Sequence, residues 1–155
     1  MDGDFRKLPA SDSDVGIYIG NAIGSSPAND ATRQSAEQQK IQNALTAMRR
    51  DRARRVKYLP ASLFADPAWD MLLELYQASL RQYRVPISSL CIASGVPATT
   101  ALRWMQTLEA KGLIVRCPDP YDGRRFFMAL SSLGENAVEH YFKACVADAE
   151  AAEIH

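Results

Sequence analysis

Cysteine and histidine are scarce in this chain. Three cysteines (Cys91, Cys117 and Cys145) and two histidines (His140 and His155) are spread through 155 residues. They form no CxxC pair, no zinc-ligand spacing and no even disulfide framework. No metal or other cofactor is therefore expected, and a reducing cytoplasm is the expected compartment. Long apolar runs are also missing. No stretch approaches the roughly 18 residues that a membrane span needs, and residues 1–14 carry acids where a secretory signal would carry an apolar core. No nucleophile–base pairing or phosphate loop stands out, so no catalytic residues are assigned and an enzyme is not expected. An excess of one charge is missing as well: 18 Lys and Arg balance 18 Asp and Glu. What remains is an ordinary globular mixture, 47% hydrophobic and 23% charged, in a length that suits one domain with a real core.

The zero total hides segregation. Residues 1–30 hold five acids and two bases, and residues 126–155 hold five acids and one base. Residues 31–58 hold eight bases against two acids, and residues 84–125 hold six against three. Either basic block could meet a polyanion. The plainer alternative for Arg49, Arg50, Arg52, Arg54, Arg55 and Lys57 is a solvated helix face.

Hydrophobic spacing orders the rest. Residues 1–30 read as a flexible acidic tail, in which the patch at residues 15–19 could add an edge strand or dock on a partner. Residues 31–155 read as one domain. A long basic helix is expected over 31–58, where Gly and Pro are absent and Ile41, Leu45 and Met48 form a thin stripe suited to an interaction or dimer helix. A core helix follows over 66–83, with Asp66 as N-cap, Pro67 at its first position, and Trp69, Leu72, Leu73, Tyr76 and Leu80 at spacings of three and four. Over 86–130 a short helix capped by Ser88 or Ser89 runs to Gly95. A second helix runs from Pro97 to Gly112, the spacing of a helix-turn-helix. At 100° per residue, Ala101, Trp104, Met105 and Leu108 fall on one side of it, and Thr99, Arg103, Gln106 and Ala110 on the other. That outward face offers hydroxyls (Thr99, Thr100), a guanidinium and an amide, with no acid before Glu109. Arg103 could bind guanine bidentately in a major groove. Leu102 could touch a thymine methyl or pack on a neighbour. Two β-like runs, 113–116 and 126–130, flank a Pro/Asp/Gly turn and read as a hairpin. At its tip Arg124 or Arg125 could enter a narrow minor groove, its guanidinium held extended by Asp122. The alternative is a surface turn with an incidental ion pair. Ser132 and Glu135 fit a capping box that opens a final helix over 132–151, suited to dimerisation.

The fold class that follows is mainly α with a small β-hairpin wing: a winged helix-turn-helix between terminal dimerisation helices. Residues Ile87 to Val96, Thr99 to Ile114, and above all Asp119-Pro120-Tyr121-Asp122-Gly123-Arg124-Arg125 with Leu130, Ser131 and Gly134, resemble the MarR family of transcriptional regulators. Pro97, Ala98 and Leu102 depart from the residues frequent at those positions. The resemblance implies a homodimer on a pseudo-palindromic double-stranded DNA operator. The implied contacts are Ser88, Ala98, Thr99, Thr100, Leu102, Arg103 and Gln106, with Asp122, Arg124 and Arg125 from the wing. It further implies release of DNA by a small aromatic effector, for which Trp69, Tyr76 and Tyr83 are the candidate residues. A reactive Cys117 beside Arg116 is a further reading. The competing function is a winged-helix protein–protein adaptor without DNA binding.

Overall fold

A computed structural model describes residues 27–153 of the chain, with side chains over residues 31–152. Most of the tail expected over 1–30, including the patch at 15–19, lies outside the described residues; the long helix begins four residues before the expected boundary. The order is α1 (Pro27–Arg55), a 3-10 turn (Ala61–Leu63), α2 (Pro67–Arg81), β1 (Val85–Pro86), α3 (Ile87–Ala93), α4 (Ala98–Ala110), β2 (Ile114–Pro118), β3 (Phe126–Leu130) and α5 (Ser132–Glu153). The strands form an antiparallel sheet in the order β1-β3-β2. The wing is thus more than the expected hairpin: Val85 and Pro86 add a third strand by pairing with Met128 and Phe127. Among the described residues no helix is long and apolar enough to cross a membrane, and no three His, Cys, Asp or Glu residues cluster to hold a metal ion.

Two cores share one helix. Met71, Leu75 and Ala78 of α2 pack with Val85, Leu90, Ala101, Met105, Leu108, Ile114 and Met128 to fill the winged helix. On its other side α2 sends Leu73 and Tyr76 against Ile41 and Leu45 of α1 and Val138 and Phe142 of α5, with Trp69 and Leu80 at the margin. The stripe at 69, 73, 76 and 80 was evident from spacing, whereas the stripe at 71, 75 and 78 completes a helix that is apolar on both sides, as a central helix must be. The α1 stripe is a correction. Ile41 and Leu45 do not wait for a partner chain; α2 and α5 of the same chain bury them. Residues 31–40 of α1 are exposed throughout.

Helix ends show why the elements stop where they do. α1 ends at Arg55 rather than at Tyr58, tightening into turns in which the Lys57 and Tyr58 N–H groups donate three residues back. α2 ends at Arg81 because Gln82 adopts a left-handed conformation (φ 56°, ψ 44°). The Gln82 and Tyr83 N–H groups then reach the Ser79 and Ala78 carbonyls, the double bond of a Schellman ending. Asp66 makes no side-chain cap; its carboxylate lies 3.7 Å from Arg52. α5 is capped by Ser131, not Ser132: Ser131 Oγ accepts the Gly134 N–H at 3.0 Å. The Glu135 carboxylate turns away and accepts the Ser79 hydroxyl.

Candidate nucleic-acid interface

α3 and α4 form the helix-turn-helix. Ser88 and Ser89 sit exposed in the first turn of α3, which begins after Pro86 without a side-chain cap, so neither serine caps it. The turn is held from within. Gly95 takes φ 66°, and Ser94, fully buried, donates from Oγ to the Cys91 carbonyl at 2.5 Å. Ser94 was not among the residues singled out from sequence; a small hydroxyl directly before a glycine was the available signal. Pro97 precedes α4, and its carbonyl accepts the Thr100 and Ala101 N–H groups at 2.9 Å.

α4 presents two faces. Ala101, Met105 and Leu108 are buried, while Ala98, Thr99, Thr100, Arg103 and Gln106 are exposed. One apolar residue departs from expectation: Trp104, placed by angle with the buried set, is 38% exposed. Leu102, flanking the outward face, is half-exposed at 42%. The single acid of the helix, Glu109, is taken by Arg116 of β2, whose Nε and Nη2 donate to it at 2.6 and 3.2 Å. The outward face of α4 therefore carries no free carboxylate. The same pair engages the guanidinium of Arg116, the neighbour of Cys117 in sequence. Pairing across β2 sets Arg116 opposite Met128 and Cys117 opposite Phe127, on alternate faces of the sheet.

The wing tip is built from aspartates. The Asp119 N–H donates to the Arg125 carbonyl at 2.9 Å, and Asp119 Oδ1 accepts the Tyr121 N–H at 2.9 Å. Asp122 Oδ1 accepts the backbone N–H of Arg124 at 3.0 Å, and the Asp122 carbonyl accepts the Arg125 N–H at 2.9 Å. This corrects the expected role of Asp122: it holds the backbone of Arg124, not the guanidinium. Arg124 and Arg125 are both exposed.

Ion pairs sort the arginines into two groups. At the end of α1, Arg49 donates to Glu74 at 2.6 Å and to Gln77, Arg52 donates to Asp70 at 2.8 Å, and Arg54 lies 3.3 Å from Asp51. Arg55 stacks over Phe64 at 4.9 Å. Burial pushes the Asp70 carboxyl up against the opposing pull of Arg52. Four of the eight bases of the first block, Lys40, Arg49, Arg52 and Arg54, are thus engaged by carboxylates. Arg103 and Arg124, by contrast, take part in no ion pair among the described residues.

The three aromatic residues read as a ligand set are not brought to one place. Tyr76 is buried and stacked on Phe142 at 5.7 Å. Trp69 packs edge-on to Tyr141 at 4.9 Å and borders an open cleft with Met48, Arg52 and Arg55. Tyr83 lies beyond the end of α2, exposed, and donates to Glu74 at 3.0 Å. A cavity of about 260 Å³ lies elsewhere, between α1, α2 and the α3–α4 turn, lined by residues that include Arg49, Arg52, Arg55, Phe64, Asp70 and Ser94.

No family model matches the chain, and no curated protein matches it. Solved structures similar to it include the MarR-family regulators MepR, NadR and MarR. A mutant MepR from a multidrug-resistant S. aureus clinical isolate shares 25% identity over 50% of this chain and about half, 54%, of its own, with a TM-score of 0.43. An S. aureus MepR–DNA complex shares 20% identity over 79% of this chain and 85% of that one, TM-score 0.46. NadR in complex with 4-hydroxyphenylacetate shares 16% identity over 87% and 83%, TM-score 0.46. The winged-helix fold of this chain stands on its own element order and strand register.

Proposed function

We propose that the chain is a sequence-specific, double-stranded-DNA-binding transcriptional regulator that acts in the cytoplasm as a homodimer. α4 of each copy enters a major groove, with Thr99, Thr100, Arg103 and Gln106 toward the bases and Ser88, Ala98 and Leu102 beside them. Arg124, on the backbone held by Asp122, reaches the flanking minor groove. One observation carries this reading: Arg103 and Arg124 stand exposed on the helix-turn-helix and its wing, outside every ion pair among the described residues, while Arg49 and Arg52 of α1 are held by Glu74 and Asp70. Free guanidinium groups on a helix-turn-helix and its wing suit base edges and phosphates.

Selection of bound genomic fragments, followed by titration, tests it. Arg103→Ala is expected to weaken the selected site by about tenfold to a hundredfold and to relax its sequence preference. A wild-type protein with no salt-dependent affinity for any duplex ends the proposal. The dimer is expected to bring its two α4 helices about 34 Å apart, one turn of DNA, through the exposed start of α1 and through α5. The effector reading falls to the arginine-lined cavity and the adjoining Trp69 cleft, with Tyr76 supporting from the core and Tyr83 through Glu74. A small aromatic carboxylate such as benzoate is expected to release DNA, and a variant of the cavity arginine that forms no ion pair among the described residues, Arg55→Ala, to lose that response.

A second reading, a protein-binding adaptor, draws on Ile92, Leu102 and Trp104, apolar residues 81%, 42% and 38% exposed around the same helices. A stable protein complex without duplex binding at low salt decides for it.

A further inference from the structure

Two guanidinium groups converge on the outer face of the sheet. The Cζ atom of Arg84 lies 5.4 Å from the centre of the Phe127 ring, and that of Arg125 lies 6.0 Å from the same centre. The register accounts for the meeting. Val85 pairs with Met128 and both are buried in the core, so the adjoining Arg84 and Phe127 fall on the opposite face. Arg125 arrives from the other direction, as the last residue of the wing tip before β3. Both arginines are exposed. Neither has a carboxylate partner: the ion pairs among the described residues use Lys40, Arg49, Arg52, Arg54, Arg116 and Lys143. Each cation is attracted to the ring, but like charges gathered at one ring repel, and an anion bound beside them offsets that repulsion.

We infer that Arg84 and Arg125, positioned on Phe127, form a clamp for a backbone phosphate of the duplex beside the wing. This rests on the DNA-binding reading and divides the labour of the adjacent wing arginines: Arg125 is turned to the sheet and the backbone, leaving Arg124 for the groove. A guanidinium fork matches the two free oxygens of a phosphodiester. A duplex is favoured over an acidic protein because Arg125 follows Arg124 directly, so the seat is continuous with the wing that meets DNA.

Titration of the full chain against its selected duplex and an unrelated duplex, over a salt series, tests the clamp. Arg84→Ala is expected to weaken both duplexes alike, by roughly eightfold near 0.1 M salt, and to lower the slope of log affinity against log salt by about one. Arg84→Lys keeps the charge and is expected to keep most of the slope, which separates the clamp from a folding defect. An Arg84→Ala variant with unchanged slope and affinity overturns the clamp and leaves the DNA reading standing. Loss confined to the selected site also overturns it, because a phosphate contact is blind to sequence. A wild-type protein that binds polyglutamate through Arg84 and no duplex overturns both.

Discussion

Asp122 and Arg124 are joined through the backbone: the carboxylate Oδ1 accepts the Arg124 N–H at 3.0 Å, which fixes the turn and leaves the guanidinium unengaged. An amide oxygen can make the same bond. Asp122→Asn is therefore expected to bind DNA nearly as well as the wild type, and Asp122→Ala about tenfold more weakly, the worth of one lost turn hydrogen bond. Anisotropy titrations at fixed salt check this. Equal losses for Asn and Ala would show that the charge matters and that the turn does not.

Gly134 lies against the exit of α4. A Cβ there would stand 2.0 Å from the Leu113 carbonyl oxygen and 2.9 Å from its carbon. Both are backbone atoms and cannot rotate aside. Gly134→Ala is expected to destabilise by about 1–3 kcal/mol or more, despite alanine's better helix propensity. Urea unfolding of the two proteins measures it, and a neutral result would mean that α5 starts elsewhere.

Tyr76 is 2% exposed, and its hydroxyl finds no hydrogen-bond partner among the described residues. Tyr76→Phe is expected to stabilise by about 1 kcal/mol at neutral pH, since it removes an unsatisfied buried group. The pH dependence has a definite sign. Burial, with Glu139 and Glu135 nearby, pushes the Tyr76 phenol up to about 12, whereas the unfolded chain releases that proton near 10. The folded state thus keeps its full stability below pH 10 and loses it as pH rises through 12, by about 3 kcal/mol. The Phe variant lacks this loss, and the difference between the two denaturation curves isolates it.

Gln82 occupies the left-handed position that ends α2 (φ 56°). Glycine takes that conformation without the steric penalty on a β-carbon. Gln82→Gly is expected to raise stability by about 1 kcal/mol, seen as a higher urea midpoint with an unchanged slope. A lower midpoint would show that the Gln82 side chain contributes more than its backbone costs.

Local chemistry made much of this legible. Gly95 and Gly112 end α3 and α4 with φ of 66° and 70°, and only a few residue types accept such values readily. The β-like runs at 113–116 and 126–130 and the Pro/Asp/Gly turn between them need no distant partner to be recognised. The residues that went astray are those whose surroundings come from far along the chain. Ile41 and Leu45 make a stripe too thin to advertise a core, and only α5, a hundred residues on, shows what covers it. Trp104 lies at the edge of a helix whose buried arc is narrower than its apolar arc. Arg84 carried no signal at all, because its meeting with Phe127 exists only once β1 joins β3. Asp122 was placed correctly next to Arg124, but spacing cannot distinguish a bond to a side chain from a bond to an amide.

α2 belongs to both cores at once, with one flank against the winged helix and the other against α1 and α5. A partition shared in this way has no hinge of its own. On this packing, anything that tilts α1, whether a neighbouring copy or a molecule lodged among Arg49, Arg52 and Arg55, is expected to carry the winged helix along with α2. Under the proposed function, the separation of two winged helices in a dimer would then be adjusted at a distance, while the surface of each keeps its shape.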